Sequence, residues 1–244
     1  MKAMILAAGR GERLRPLTDH TPKPLLKVNG IPLIEHHIIK LARAGITDIV
    51  INLAWLGEKI EEYLQNGSRF GVKIHYSWEQ PHALETAGGI IKALPLLVNP
   101  DADDKRQELF LVINGDIYFD YDFTLLPVLG KEDLAHLWLV PNPEHNRDGD
   151  FVLSANRVST LSAAELTHHQ ESYTFSGVGL YKADLFYQLA ESEAYENGVL
   201  RLGPSLKKCA QQGLLAGELS SHFWTDVGTA ERLQQVNLQV GVKG

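Results

Sequence analysis

The run Leu6-Ala7-Ala8-Gly9-Arg10-Gly11-Glu12-Arg13-Leu14-Arg15-Pro16-Leu17-Thr18, followed by Thr21-Pro22-Lys23-Pro24-Leu25, decides how the rest of the chain reads. Residues 1–8 suit a short buried strand, and Gly9 and Gly11 break it abruptly. Small residues after a buried strand let the backbone approach a ligand, and their N–H groups can cradle phosphate oxygens. Arg10, Arg13, Arg15 and Lys23 add four cations to this stretch. Lys23 stands between two prolines, which restrict the backbone on both sides and aim the ammonium. The third glycine of a dinucleotide fingerprint is missing, and no Gly-Lys-Ser/Thr follows to make a Walker loop. The pattern therefore reads as another kind of phosphate-binding loop at the end of a strand.

Downstream the pattern alternates. Residues 32–44 carry Ile34, Ile38 and Leu41 at helical spacing, with Gly45 as the stop. Residues 47–53, with Ile49-Val50-Ile51, form a second buried strand. A helix is expected over 56–64, a strand over 72–78 and a helix over 86–97. A third buried strand over 109–113 ends at Asn114-Gly115-Asp116. Such alternation means right-handed crossovers and a mainly parallel sheet, so the fold class is α/β. Ligands bind beyond the C-terminal strand ends of such sheets, where Gly9, Asn52 and Asp116 fall. Farther on, 135–140, 151–153 and 173–181 read as strands, and 183–190, 204–212 and 229–240 as helices. The charged 101–108 and polar 141–150 stretches read as solvated loops. There is no internal repeat.

A length of 244 residues corresponds to one or two domains. The 44% hydrophobic and 22% charged content is that of a globular chain with a full core. The charge sum of −7 speaks against nucleic acid as a partner, yet leaves a nucleotide ligand open. The single cysteine, Cys209, excludes an internal disulfide and suits a reducing compartment. No stretch reads as a secretory leader or approaches the ~18 apolar residues of a membrane span. The expectation is a cytoplasmic chain with no membrane partner and no evident protein partner.

The sequence resembles the sugar-1-phosphate nucleotidyltransferases. Their N-terminal pattern, Leu-Ala-Ala-Gly-x-Gly-x-Arg-Leu-x-Pro-Leu-Thr and then Pro-Lys-Pro-Leu, is matched at every fixed position from Leu6 to Thr18 and Pro22 to Leu25. The likeness continues through Asn114-Gly115-Asp116 and Trp224-Thr225-Asp226-Val227-Gly228-Thr229. It implies a Rossmann-like three-layer sandwich with a mixed, mainly parallel central sheet. It also implies one domain over 1–244, with 1–116 serving the nucleotide and 117–244 the sugar and a second metal aspartate. Leu6, Ala7, Ala8, Gly9 and Gly11 would line the nucleotide. Arg13 would hold the triphosphate and Lys23 would meet the α-phosphate. Asp116 and Asp226 would hold Mg2+. By residue type alone, Asp116 equally suits a turn and Asp226 a helix cap.

Glu79 to Gly89 is the candidate base-reading segment. Gln80, Glu85, Gly88 and Gly89 are its candidate contacts, and a helix N-terminus begins there too. Leu84-Glu85-Thr86-Ala87-Gly88-Gly89, residues 50–57 and residues 174–177 resemble the branch that joins UTP to N-acetylmuramic acid 1-phosphate in peptidoglycan recycling. Relatives using hexose 1-phosphates with GTP or dTTP carry a mid-chain Glu-Lys-Pro, whereas residues 152–173 here contain no lysine. Arg201 is the substitute candidate for the sugar phosphate. Asn52, Asn114, Asn142, Asp150 and Ser176 are candidates for sugar hydroxyl or amide groups. Arg147 could answer the lactyl carboxylate with a bidentate contact. Tyr118, Phe119, Tyr121 and Phe123 read as packing residues, and the pairs His36-His37 and His168-His169 as helix-surface and loop residues. Two rivals remain: a hexose-1-phosphate transferase, and a nucleotide-sugar-binding regulatory subunit. The complete set Arg13, Lys23, Asp116 and Asp226 speaks against the second.

Overall fold

Apolar runs rich in β-branched residues build the middle of the fold, because strands covered on both faces need no polar positions. The computed structural model describes residues 1–79, 84–160 and 171–241. In chain order the elements are β1 (Lys2–Leu6), the ribbon β2 (Lys27–Val28) and β3 (Ile31–Pro32), α1 (Leu33–Arg43), β4 (Asp48–Leu53), α2 (Gly57–Leu64), β5 (Lys73–Trp78) and α3 (Glu85–Leu97). Then follow β6 (Leu109–Asn114), β7 (Ile117–Phe119), β8 (Ala135–Val140), β9 (Phe151–Ser154), β10 (Arg157–Ser159) and β11 (Ser172–Lys182). The chain closes with α4 (Ala183–Ala190), α5 (Leu202–Gln211), β12 (Leu215–Leu219), β13 (Trp224–Asp226) and α6 (Ala230–Gly241).

Nine strands form one sheet in the order β5-β4-β1-β6-β11-β8-β12-β10-β9. β5, β4, β1 and β6 are mutually parallel, and β12 is parallel to β8. Only β10 and β11 run against the rest. The sheet is thus mixed and mainly parallel. Side-chain alternation splits the core into two layers. Ala3, Ile5, Ile49, Ile51, Leu111 and Ile113 pack with Ile34, Ile38 and Leu41 of α1 and Ile60 and Leu64 of α2. Met4, Val50, Phe110 and Val112 pack on the other face, against α3, α4 and α5. A third cluster seats Val236 of α6 on Leu14, Leu26, Val28, Leu33, Tyr118 and Val227. The C-terminal helix therefore lies beside the glycine loop.

Several sequence expectations change here. Asp226 lies in a strand rather than at a helix cap, because β13 pairs antiparallel with β7 in a two-stranded ribbon of its own. The 101–108 stretch is not simply solvated: Arg106 donates to Asp184 (2.8 Å) and Glu191 (2.5 Å) and ties the loop to α4. His37 is buried rather than on the helix surface, with Nε2 2.9 Å from the carbonyl of Ile117. Burial pushes its imidazole down to about 3, so it is neutral at pH 7. His168 and His169 lie outside the described residues. Tyr118, Phe119, Tyr121 and Phe123 are all buried, as packing residues should be. Among the described residues, no helix is long and apolar enough to cross a membrane.

Candidate active site

The parallel register sets Leu6 opposite Asn52 on one side and Asn114 on the other. Beyond these strand ends opens a cleft of about 480 Å3. Its walls are Leu6, Ala7, Ala8, Gly9, Gly11, Glu12, Arg13, Lys23, Pro24, Asn52, Glu79, Glu85, Thr86, Asn114, Asp116 and Gly228. The glycine loop is held in shape from outside. Leu14 N–H donates to the Gly11 carbonyl (3.0 Å), as does the Thr18 hydroxyl (2.8 Å). The Arg10 guanidinium sits 4.5 Å from the centre of the Trp55 ring, and the Trp55 indole N–H donates to the Thr18 carbonyl (3.1 Å). Arg13 remains exposed on the cleft wall.

Lys23 is largely buried, and its Nζ lies 2.5 Å from Asp116 Oδ2. The prolines on either side carry it in a single 3-10 turn, Lys23–Leu25, closed by Leu26 N–H on the Lys23 carbonyl (3.0 Å). Asp116 is two-fifths exposed, with its side chain at 39%. Its backbone carbonyl accepts from Val227 N–H (2.8 Å), so Asp116 and Asp226 are neighbours across the β7–β13 ribbon. Asp226 Oδ1 accepts from Arg232 Nη1 (3.0 Å) and lies 3.1 Å from His145 Nε2. The other oxygen, Oδ2, is on the side of Gly228, where a Cβ would come within 2.9 Å of it. Among the described residues no group of three or more His, Cys, Asp or Glu side chains gathers as a metal cage. Two carboxylates still suit Mg2+, which takes one or two of them and fills its remaining positions with water and phosphate oxygens.

Asn52, which the sequence offers to a sugar, lines the cleft and also ties its walls together. Its Oδ1 accepts from Ala7 N–H (2.8 Å) and its Nδ2 donates to Glu79 Oε1 (2.7 Å). Glu79, only 4% exposed, also accepts from Leu84 N–H (2.9 Å) through Oε2. Sequence reasoning did not single out Glu79. Its one visible signal is an acid directly after the strand expected over 72–78. Gly88 and Gly89 are also reassigned, because they are buried in α3 and absent from the cleft wall. Gly88 N–H donates to the Leu200 carbonyl (3.1 Å), and a Cβ on Gly89 would collide with the Glu79 carboxylate. These glycines let α3 pack closely rather than leave backbone free for a base. Glu85 is on the wall, with φ +59°, a left-handed conformation that costs a non-glycine residue about 1–3 kcal/mol. Gln80 lies outside the described residues.

Asp226 and Asn142 do not line this cleft, and neither do four other sequence candidates. Ser176 is 1% exposed, and its Oγ accepts from Val178 N–H (3.2 Å). Asp150 accepts from Phe175 N–H (2.9 Å) and from Asn146 Nδ2 (3.3 Å), so it closes its own loop. Arg147 is exposed, and the contact at this residue is its carbonyl, which accepts from Asn142 Nδ2 (3.1 Å). Arg201 is 76% exposed at the rim, with Nε 3.7 Å from Glu85 Oε1. Asn114 does face the cleft. β11 shifts register between Phe175 and Gly179, and Gly177 at φ +82° leaves the space that the Asn114 side chain occupies.

Nucleotidyl transfer asks for donors to a triphosphate and a cation near the reacting phosphorus rather than a covalent nucleophile. The chain belongs to the nucleotidyl transferase family, whose model matches residues 2–242. It is 47% identical, over 99% of both chains, to the N-acetylmuramate alpha-1-phosphate uridylyltransferase of Neisseria meningitidis serogroup B. It is 31% identical to the UTP–glucose-1-phosphate uridylyltransferase of a Synechocystis species, over 93% of this chain and 60% of that one. A solved structure from Bacillus anthracis, described as a putative glucose-1-phosphate thymidylyltransferase in complex with sucrose, superposes with a TM-score of 0.80. It is 26% identical and covers 98% of this chain and 94% of that chain.

Proposed function

We propose that this chain transfers the uridylyl group of UTP to N-acetylmuramic acid 1-phosphate. An oxygen of the sugar phosphate attacks the α-phosphorus of UTP in line. The bond to the β-phosphate oxygen breaks, and UDP-N-acetylmuramic acid and pyrophosphate leave. The observation that carries the reading of the chemistry is the buried Lys23 ammonium meeting Asp116 at the wall of a glycine-loop cleft. The 47% identity over the full length supports the choice of UTP and the muramic acid sugar.

Backbone N–H groups of the glycine loop and the Arg13 guanidinium supply donors for the triphosphate. Lys23 faces the α-phosphate, where negative charge grows in the transition state. Asp116 and the free oxygen of Asp226 are the groups that would hold Mg2+, and its chemistry when bound is to neutralise phosphate oxygens. Arg201, whose Nε lies 3.7 Å from Oε1 of the cleft-lining Glu85, is the candidate for the sugar 1-phosphate. The test is a panel of purified nucleoside triphosphates and sugar 1-phosphates read by pyrophosphate release. UTP with N-acetylmuramic acid 1-phosphate is expected to give the highest kcat/KM. Turnover of glucose 1-phosphate with none of the muramic acid substrate would overturn the specific reading and leave the family chemistry standing.

Asn52 carries a second expectation. Asn52→Ala leaves the Ala7 N–H and the buried Glu79 carboxylate without their partner, at a cost of about 1–3 kcal/mol. The nucleotide loop loses its anchor to β4. Thermal melting should shift down, and the KM for UTP should rise more than kcat falls. An unchanged KM would show that the Asn52–Ala7 bond does not shape the nucleotide site.

A further inference from the structure

Asp226 lines neither of two neighbouring clefts itself, but residues next to it in the chain line both. On one side is the nucleotide cleft, reached through Gly228. On the other is a larger cleft of about 790 Å3 whose lining includes His145, Thr229 and Arg232. Arg232 lies on α6 and His145 in the loop between β8 and β9. Both reach the same oxygen, Asp226 Oδ1, at 3.0 and 3.1 Å. The Arg232 guanidinium also lies against the His145 ring, so the three groups adjoin one another.

We propose that Arg232 and His145 are positioning residues, a clamp that fixes Asp226 by one oxygen and presents the other to the divalent cation. This rests on the reading of Asp226 as a metal carboxylate. The geometry supports the clamp in two ways. Arg232 is deeply set, with 14% of its side chain exposed, so its guanidinium has little freedom to leave. The guanidinium packs directly over Gly228, where a Cβ would collide with Arg232 Nη2 and displace it. The backbone joins in: Arg232 N–H is 3.3 Å from Thr229 Oγ1, which sets the register of the first turn of α6. Hydrogen-bond partners of this kind hold metal-ligating carboxylates in orientation, and the clamp ties that orientation to the C-terminal helix and to the 141–150 loop.

The test uses the full chain with UTP, no sugar phosphate, and Mn2+ as the probe, with free Mn2+ counted by electron paramagnetic resonance. Arg232→Gln is expected to weaken Mn2+ binding by about 10- to 100-fold. Arg232→Lys should recover part of that loss, and His145→Phe should show a smaller one. UTP affinity measured without metal should stay as in the parent chain. Unchanged Mn2+ affinity in Arg232→Gln would overturn the clamp. So would an equal loss of metal-free UTP binding, because the arginine would then be supporting the fold. If Arg232→Gln melts below the assay temperature, Arg232→Lys and His145→Phe carry the same comparison. A parent chain that binds no Mn2+ with UTP would instead sink the metal reading itself, which separates the two failures.

Discussion

Lys23→Ala is expected to lower kcat by about 10²–10³, the scale for removing one preorganised donor from a developing anion. UTP affinity should fall much less, because the charge that Lys23 meets is greatest in the transition state. The fold should survive. The partner left behind, Asp116, has its side chain 39% exposed, so water can solvate the abandoned carboxylate. Steady-state kinetics with UTP and the sugar phosphate varied separately would read this out. A rise in KM with an unchanged kcat would remove Lys23 from the transition state and leave it a ground-state contact.

Asp116→Asn should do more damage, and of two kinds. It removes the cleft-wall carboxylate assigned to the cation, and it strips Lys23 of its counter-charge. The Lys23 side chain is only 10% exposed, so water cannot readily replace that partner. A fully buried pair broken on one side costs roughly 3–5 kcal/mol, and the partial exposure of Asp116 places this pair below that range. Melting temperature and activity should therefore fall together. The double variant Lys23→Met with Asp116→Asn separates the two effects. Stability should return toward the parent value, since no unpaired charge remains, while kcat stays low. Kinetic losses should also be far from additive, as they are for residues acting as a unit. A double variant whose melting temperature falls further than that of either single change would contradict the pairing.

The contrast between Asn52 and Lys23 shows where a sequence stops being legible. Lys23 could be read because its signal is local: two flanking prolines and a glycine loop a few residues upstream. The buried strands 47–53 and 109–113 were equally legible, since a run of apolar residues bounded by turn residues carries its own instruction. Asn52 is legible as a residue at a strand end, but its role in tying the cleft walls together is not. Its partners, Ala7 and Glu79, are 45 and 27 residues away in sequence, and only the parallel registers of β1 with β4 and of β4 with β5 bring them together. Gly88 and Gly89 misled for a related reason. A glycine pair permits close approach, but whether to a ligand or to a neighbouring carboxylate depends on what the fold puts there. Ser176, Asp150 and Arg147 were plausible by polarity, yet two of them satisfy backbone N–H groups and the third faces solvent. The strands β10, β12 and β13 were not foreseen, because short segments such as Leu215–Leu219 take their conformation from the strands they join.

The sequence by itself determined the α/β alternation, the glycine loop, the trapped lysine and the two aspartates that match the family. Each of these rests on local chemistry: periodicity, backbone restriction by proline and glycine, and charge close in the chain. It also hid a cluster of cations inside a net charge of −7. Only the tertiary structure decided that Lys23 meets Asp116 across 93 residues, that Asp226 lies in a strand beside it, and that Arg232 and His145 hold its second face. Contacts at such separations follow from how the strands order and twist in the sheet. They depend on the whole core folding together, and no window of sequence contains them.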